Sequence, residues 1–359
     1  MAEGIFNFSA GPSVLPESAL RRAAAELENY RGSGMSVMEM SHRSKLFQEI
    51  FDSAKSKLKE VMAVPDSHEI LFLQGGATLQ FAAIPMNLIR AGTADYAVTG
   101  NLSGKAAKAA KKSGKVNLAL DGTAEGHVRV PGQAELVLSE GAEYFYYCAN
   151  NTIYGTEWHY TPATSAPLVC DMSSDILSKP VNVSDFGLIY AGAQKNMAPA
   201  GLTVVIVDKK LLGREAAYTP EVMSYKNMAD KDSMLNTPPC WCIYMLSLVL
   251  DWVKEQGGLS AMEQLRAQRS KLIYDVLDES RFYIPHAHRD SRSMMNVSFR
   301  CPSAELDGEF VRGAAERGLV NLKGHKLTGG LRASLYNAMP IEGAVKLAQY
   351  MKEFEVRNV

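Results

Sequence analysis

The sequence predicts an α/β protein whose large domain has a mainly parallel sheet flanked by helices, followed by a smaller C-terminal α+β domain. Three observations carry this. Short apolar runs bounded by Gly, Pro, Asp or Asn recur between residues 69 and 207, and such runs suit strands buried on both faces. Helix-like stretches alternate with the runs, as strand–helix–strand units require. Past Gly257 and Gly258 the alternation changes character.

The elements follow in order. Residues 69–73 read as a strand, followed by Gly75 and Gly76 and a helix from Thr78. Residues 96–98 form another, ending at Gly100 and leading into an Ala- and Lys-rich helix at 105–111. Residues 144–148, 168–170, 188–190 and 202–207 complete the set. Residues 259–277 read as a connecting helix. The last part gives a strand at 294–299, a helix at 304–317, a strand at 331–335 and an amphipathic helix at 341–354. The expected division is a large domain over 16–258 and a small one over 259–359. An extended arm, 1–15, contains Gly11 and Pro12 and must pack elsewhere.

Composition narrows the function. Of 359 residues 47% are apolar and 21% charged, which excludes disorder, collagen and coiled coil. With 38 basic and 39 acidic side chains the net charge is -1, so no global field draws the chain to nucleic acid or an anionic membrane. The start resembles no signal peptide. The longest aromatic-aliphatic run, 241–250, stops at Asp251 and is too short to cross a bilayer. The five cysteines (Cys148, Cys170, Cys240, Cys242, Cys301) contain no CxxC pair, so neither a disulfide framework nor a metal site follows from them. A cytoplasmic location is expected.

Three segments carry chemistry. Lys195 follows an apolar strand and sits among small residues, in Ala-Gly-Ala-Gln-Lys-Asn-Met-Ala-Pro-Ala-Gly. A desolvated amine there has the lowered proton affinity needed to attack a carbonyl; a lysine snorkelling to water is the ordinary alternative. Asp171 stands at the carboxyl end of a strand, where ligands of open α/β sheets collect. It could hold a pyridine nitrogen protonated, or simply cap the turn through Ser173 and Ser174. Gly75 and Gly76, between a strand and a helix start, form a candidate anion cradle or a plain tight turn. Neither GxGxxG nor GxxxxGK[ST] occurs here, which disfavours a dinucleotide site and a P-loop.

Taken together, Asp171 with Ser173 and Ser174, the Lys195 run and the glycine cradle resemble fold-type I pyridoxal phosphate enzymes of the class V aminotransferases. Within that class the chain resembles the phosphoserine aminotransferase family. The resemblance rests on Phe6-Asn7-Phe8-Ser9-Ala10-Gly11-Pro12, Met40-Ser41-His42-Arg43-Ser44, the run from Gly192 to Gly201, Gly324-His325-Lys326, and Gly329-Gly330-Leu331-Arg332-Ala333-Ser334. These motifs span nearly the whole chain in order.

The resemblance implies roles for individual residues. Lys195 would hold pyridoxal 5′-phosphate covalently, with Gln194 beside it, and Asp171 would face the ring nitrogen. Ala77 and Thr78 would bind the cofactor phosphate through their backbone. Thr152 would lie near the ring's phenolic oxygen, and Asn236 and Thr237 would reach the phosphate from the second subunit of a homodimer. Arg332 would clamp the substrate α-carboxylate with its planar fork; His42, Arg43 and His325 would meet the distal phosphate or carboxylate. The expected reaction moves an amino group from L-glutamate to 3-phosphohydroxypyruvate, giving O-phospho-L-serine and 2-oxoglutarate. A phosphorylated hydroxy-threonine of vitamin B6 synthesis is an open second substrate. One position departs from the family: Leu102 stands where a tryptophan usually stacks on the ring. Alanine–glyoxylate aminotransferase, cysteine desulfurase, a non-catalytic binding protein and a nicotinamide oxidoreductase are the competing readings.

Overall fold

The computed structural model describes residues 4–359; residues 1–3 of the arm lie outside the described residues. Seven strands form the central sheet: β2 (His68–Leu73), β3 (Thr93–Val98), β4 (Lys115–Asp121), β5 (Phe145–Cys148), β8 (Leu168–Asp171), β9 (Leu188–Gly192) and β10 (Thr203–Asp208). Their order is β2-β10-β9-β8-β5-β3-β4. β10 runs antiparallel to both neighbours, and all other pairs are parallel. Successive side chains leave a strand on opposite faces, so Ile70 and Phe72 enter one core while Leu71 and Leu73 enter another. Both faces are covered, which is why these strands are continuously apolar rather than alternating.

Helices α1 (Glu17–Ala25), α2 (Lys45–Val61) and α6 (Cys240–Glu255) cover the first face. On the other lie α3 (Gly76–Leu88), α4 (Asn101–Ala110) and the short α5 (Tyr225–Asp230). The sequence reading found only the last part of β3 and missed β4. That edge strand is mostly half-exposed and carries Lys115, Asn117 and Asp121, so it lacks the apolar signature of its neighbours. Between Asp171 and Lys195 there is no α-helix, only a turn of 3-10 helix at Val183–Asp185.

Helix α7 (Gly258–Glu279) changes partners along its length. Leu259 and Met262 pack in the large core, whereas Ile273, Val276 and Leu277 belong to the C-terminal one. That second core lies among β11 (Ile284–Pro285), β12 (Asn296–Arg300), β14 (Leu331–Ser334), α8 (Ala304–Ala315) and α9 (Ile341–Asn358). The arm joins it: β1 (Phe6–Asn7) pairs parallel with β13 (Leu319–Val320), and Phe8 is fully buried. Burying such a ring stabilises by roughly 2–3 kcal/mol, so the arm is anchored before it reaches the Lys195 loop. A small hairpin, β6 (Asn150–Asn151) and β7 (Thr156–Glu157), rises beyond the end of β5. Glu157, wholly buried, accepts from Arg266 of α7 at 2.8 Å, from Lys179 at 3.1 Å and from the Met294 N–H at 2.9 Å. Those charges hold its carboxyl below the usual range, against the upward push of burial.

Candidate active site

The site forms where β8 and β9 end. Asp171 pairs in register with Tyr190 of β9 and with Cys148 of β5, so adjacent parallel strands carry it to the carboxyl edge. It is 3% exposed. Its Oδ1 accepts from the Ser173 N–H at 2.9 Å, and its Oδ2 from the Tyr190 hydroxyl at 2.9 Å. Asp171 therefore does cap the following turn, and still has no cationic partner among the described residues. The turn-capping and ring-facing readings are compatible. Ser173 Oγ in turn accepts from the Gly192 N–H at 3.0 Å, pinning the next strand to the same corner.

Lys195 lies just past β9, 9% exposed. Its Nζ donates to Thr152 Oγ1 at 2.8 Å, and among the described residues no carboxylate pairs with it. The amine is thus buried and neutralised by nothing, unlike a lysine that snorkels to water. The N-terminal arm closes over it from the other side. The Ser13 hydroxyl donates to the Lys195 carbonyl, the Ser13 N–H donates to the Gln194 carbonyl at 3.0 Å, and an added Cβ on Gly11 would come within 3.2 Å of Lys195 Cγ. The thiol of Cys148 senses both site charges: burial pushes it well up, Asp171 adds to that, and Lys195 opposes it.

Thr152 connects the amine to Arg332. Its carbonyl accepts from the Arg332 Nη1 at 3.1 Å while its hydroxyl holds Lys195. Arg332 comes from β14, placed by the pairing of β14 with β12; burial pulls its guanidinium somewhat below the usual range. His325 lies in the turn before β14. Burial first, then the charges of Arg332, Lys326 and Lys105, push its imidazole down. Half-buried His325 and Arg332 with exposed Lys105 and Lys326 make this corner predominantly basic. It suits a dianion.

The third wall is the start of α3. Gly75 and Gly76 both hold positive φ, 87° and 66°, and a Cβ on Gly75 would collide with Leu79 at 2.4 Å. Glycine is therefore required there for the chain to turn directly into the helix. The N–H groups of Gly76, Ala77 and Thr78 have no intrahelical acceptor, so the helix start presents bare donors. Gln74, just before the turn, donates from its amide to the Thr237 carbonyl at 2.6 Å and accepts from the Asn236 amide at 3.3 Å. Asn236 and Thr237 thus lie beside the glycine turn of their own chain. Leu102, in the first turn of α4, is half-buried and packs against the same sheet-face core that Ala77 touches.

His42 and Arg43 stand apart. They precede α2, half-buried and exposed respectively, and neither side chain bonds to another candidate site residue. Ser13, Lys105 and Tyr190 are the site neighbours that sequence reasoning missed. Ser13 and Lys105 approach only through tertiary packing, and Tyr190 was read merely as strand.

A family model for class-V aminotransferases matches residues 5–347. A phosphoserine aminotransferase from Nitrosomonas europaea is 50% identical over 361 aligned positions, covering 98% of both chains. The chain belongs to the phosphoserine aminotransferase family, within the class-V aminotransferases. Among solved structures, the phosphoserine aminotransferase from Bacillus circulans subsp. alkalophilus superposes with a TM-score of 0.97 at 42% identity over the full length of both chains. The pyridoxal-phosphate-bound enzyme of Trichomonas vaginalis gives 0.92 at 40%, covering 97% of this chain and 99% of that one.

The cofactor of this family fits the residues present. Bare N–H groups at the start of α3 suit a phosphate, the unpaired Lys195 amine suits an aldehyde, and the Asp171 carboxylate without a cation suits a ring N–H.

Proposed function

We propose that the chain transfers the amino group of L-glutamate to 3-phosphohydroxypyruvate, reversibly, giving O-phospho-L-serine and 2-oxoglutarate. It is a pyridoxal-phosphate-dependent aminotransferase, and the observation that carries its chemistry is the pair of buried, oppositely charged, unpaired groups Lys195 and Asp171 at the ends of adjacent strands. When bound, the cofactor supplies an aldehyde that takes up the amino group and a pyridinium ring that accepts the electron pair left at the substrate Cα. Lys195 Nζ takes the proton from that Cα and returns it on the other side of the reaction, general base then general acid. Thr152 Oγ1 holds the amine at the start of this transfer. Asp171 holds a proton on the ring nitrogen.

Arg332 receives the α-carboxylate of either amino donor, and the same Thr152 that orients the lysine orients the guanidinium. His325, with Lys105 and Lys326 nearby, receives the distal anion; the neutral imidazole gains a proton as a dianion arrives, so one pocket accommodates a phosphate or a carboxylate. His42 and Arg43 are assigned to the same distal anion by the family resemblance. Asn236 and Thr237 line the cofactor phosphate across a homodimer, a role that rests on the family resemblance; their contacts with Gln74 are made within their own chain. Among the described residues no helix is long and apolar enough to cross a membrane.

Measuring phosphoserine, alanine and cysteine as amino donors tests the substrate assignment. Phosphoserine turning over at least about 10²-fold more efficiently supports it, and alanine or cysteine as the better donor overturns it. Mixing a Lys195→Ala chain with an Asn236→Ala/Thr237→Ala chain tests the shared site. Activity recovered above that of either alone supports it; none recovered at dimer-forming concentration contradicts it.

A further inference from the structure

Resting on the function proposed above, we infer that Tyr190 and Tyr146 are positioning residues for Asp171: a buried phenol pair that sets the carboxylate against the ring nitrogen. Asp171 and Tyr190 are register partners on parallel strands, so their side chains leave the sheet on the same face. Tyr146, from β5 on the other flank of β8, reaches the same point. Its hydroxyl lies 2.8 Å from that of Tyr190, and the two rings stack at 6.4 Å and 29°.

Proton inventory fixes the direction of the chain. A phenol has one proton to donate. Tyr190 donates its proton to Asp171 Oδ2 at 2.9 Å, so the hydrogen between the two phenols belongs to Tyr146. The sequence of donors runs from Tyr146 to Tyr190 to Asp171. Both rings are at most 1% exposed, and burial, reinforced by the Asp171 charge, pushes both hydroxyls well up. They stay neutral donors throughout the working range. Ser173 holds Oδ1 from the backbone side, so two donors fix the carboxylate plane and leave its remaining lone pairs for the ring N–H.

A purely structural role predicts a different pattern. The buried hydroxyls of Tyr283, Tyr350 and Tyr274 all end on backbone carbonyls. Tyr144 ends on another phenol, Tyr96, with no charged group in reach. Tyr244 of α6 does end on a carboxylate, Glu26, but far from the site; among the described residues only the Tyr146–Tyr190 pair terminates on the site carboxylate.

The test compares Tyr190→Phe, Tyr146→Phe and Tyr144→Phe with the unmodified holoenzyme. For Tyr190→Phe, loss of a hydrogen bond to a charged acceptor lowers kcat about tenfold or more while KM for both amino donors stays nearly unchanged. The same variant binds pyridoxal phosphate about tenfold more weakly, and the pH at which the bound cofactor's visible band changes moves by about one unit. Tyr146→Phe moves the same three readouts in the same direction, by about threefold in rate and affinity. Tyr144→Phe loses comparable stability and moves none of them. If Tyr190→Phe and Tyr144→Phe are indistinguishable in band and affinity, the inference is wrong. Should Tyr190→Phe not fold, a Tyr146→Phe holoenzyme with unaltered band, affinity and kcat overturns it alone. An unmodified chain that shows no cofactor band overturns the proposed function and this inference together, whereas a normal band with unmoved variants overturns only the inference.

Discussion

Two carboxylates four residues apart, Asp171 and Asp175, are buried to the same 3% exposure and live in opposite surroundings. Asp171 accepts from a tyrosine hydroxyl and a backbone N–H. Among the described residues no donor meets the Asp175 carboxylate: its sealed Oδ1 is unpartnered, as is the indole N–H of Trp158 in the same cleft. The two share one wall of a cleft of about 370 Å³ with Tyr147 and Lys179. Burial outweighs the attraction of Lys179 and pushes the Asp175 carboxyl up to about 7. Burial alone therefore does not make a functional acid. What separates the two is the donor set that meets the charge.

The largest expected effect falls on the donor-rich side. Asp171→Asn keeps the shape and removes the charge, and lowers kcat at least about 10²-fold, measured in single-turnover reaction with phosphoserine. Asp175→Asn leaves kcat within about threefold. Equal losses in both variants would break the distinction.

Arg332→Ala comes next. Losing a buried charge-assisted contact raises KM for glutamate and phosphoserine alike by about 10–100-fold, because both present the same α-carboxylate. A change confined to one of them would reassign Arg332 to the distal anion.

The stability signature belongs to Asp175. Its folded-state value lies above the usual carboxylate range of the unfolded chain, so its contribution to stability is full below about pH 4 and is lost as pH rises through about 7. Denaturant titrations should show Asp175→Asn more stable than the parent at pH 8 by a few kcal/mol, with the gap closing toward pH 5. A gap independent of pH would mean that the carboxyl is not pushed up.

The smallest effect is at Leu102. Replacing the half-buried leucine by tryptophan adds an aromatic face worth ~0.5–1.5 kcal/mol, so cofactor dissociation slows by about two- to tenfold. No slowing would show that Leu102 does not face the ring.

Much of this was legible in the sequence, for a physical reason. Asp171 ends an apolar run and Lys195 follows shortly after the next, and a charge beside the end of a buried strand has few places to go. The strands buried on both faces announced themselves, while β4, with polar residues on an edge, did not. Tyr190 and Tyr146 looked like strand fillers because their role depends on which strands are neighbours, β5, β8 and β9, and sequence order does not give that. Thr152 and Arg332 were expected from family resemblance alone; that one threonine holds both partners is a fact of tertiary packing. The isolation of Asp175 is likewise invisible locally, since Ser174 and Asp175 read as equally polar turn residues.

The most direct measurement is borohydride reduction of the protein saturated with pyridoxal 5′-phosphate, followed by peptide mass spectrometry. A single reduced adduct on Lys195, absent in Lys195→Ala, is the expected result. An adduct on another lysine, or none at saturation, would contradict it.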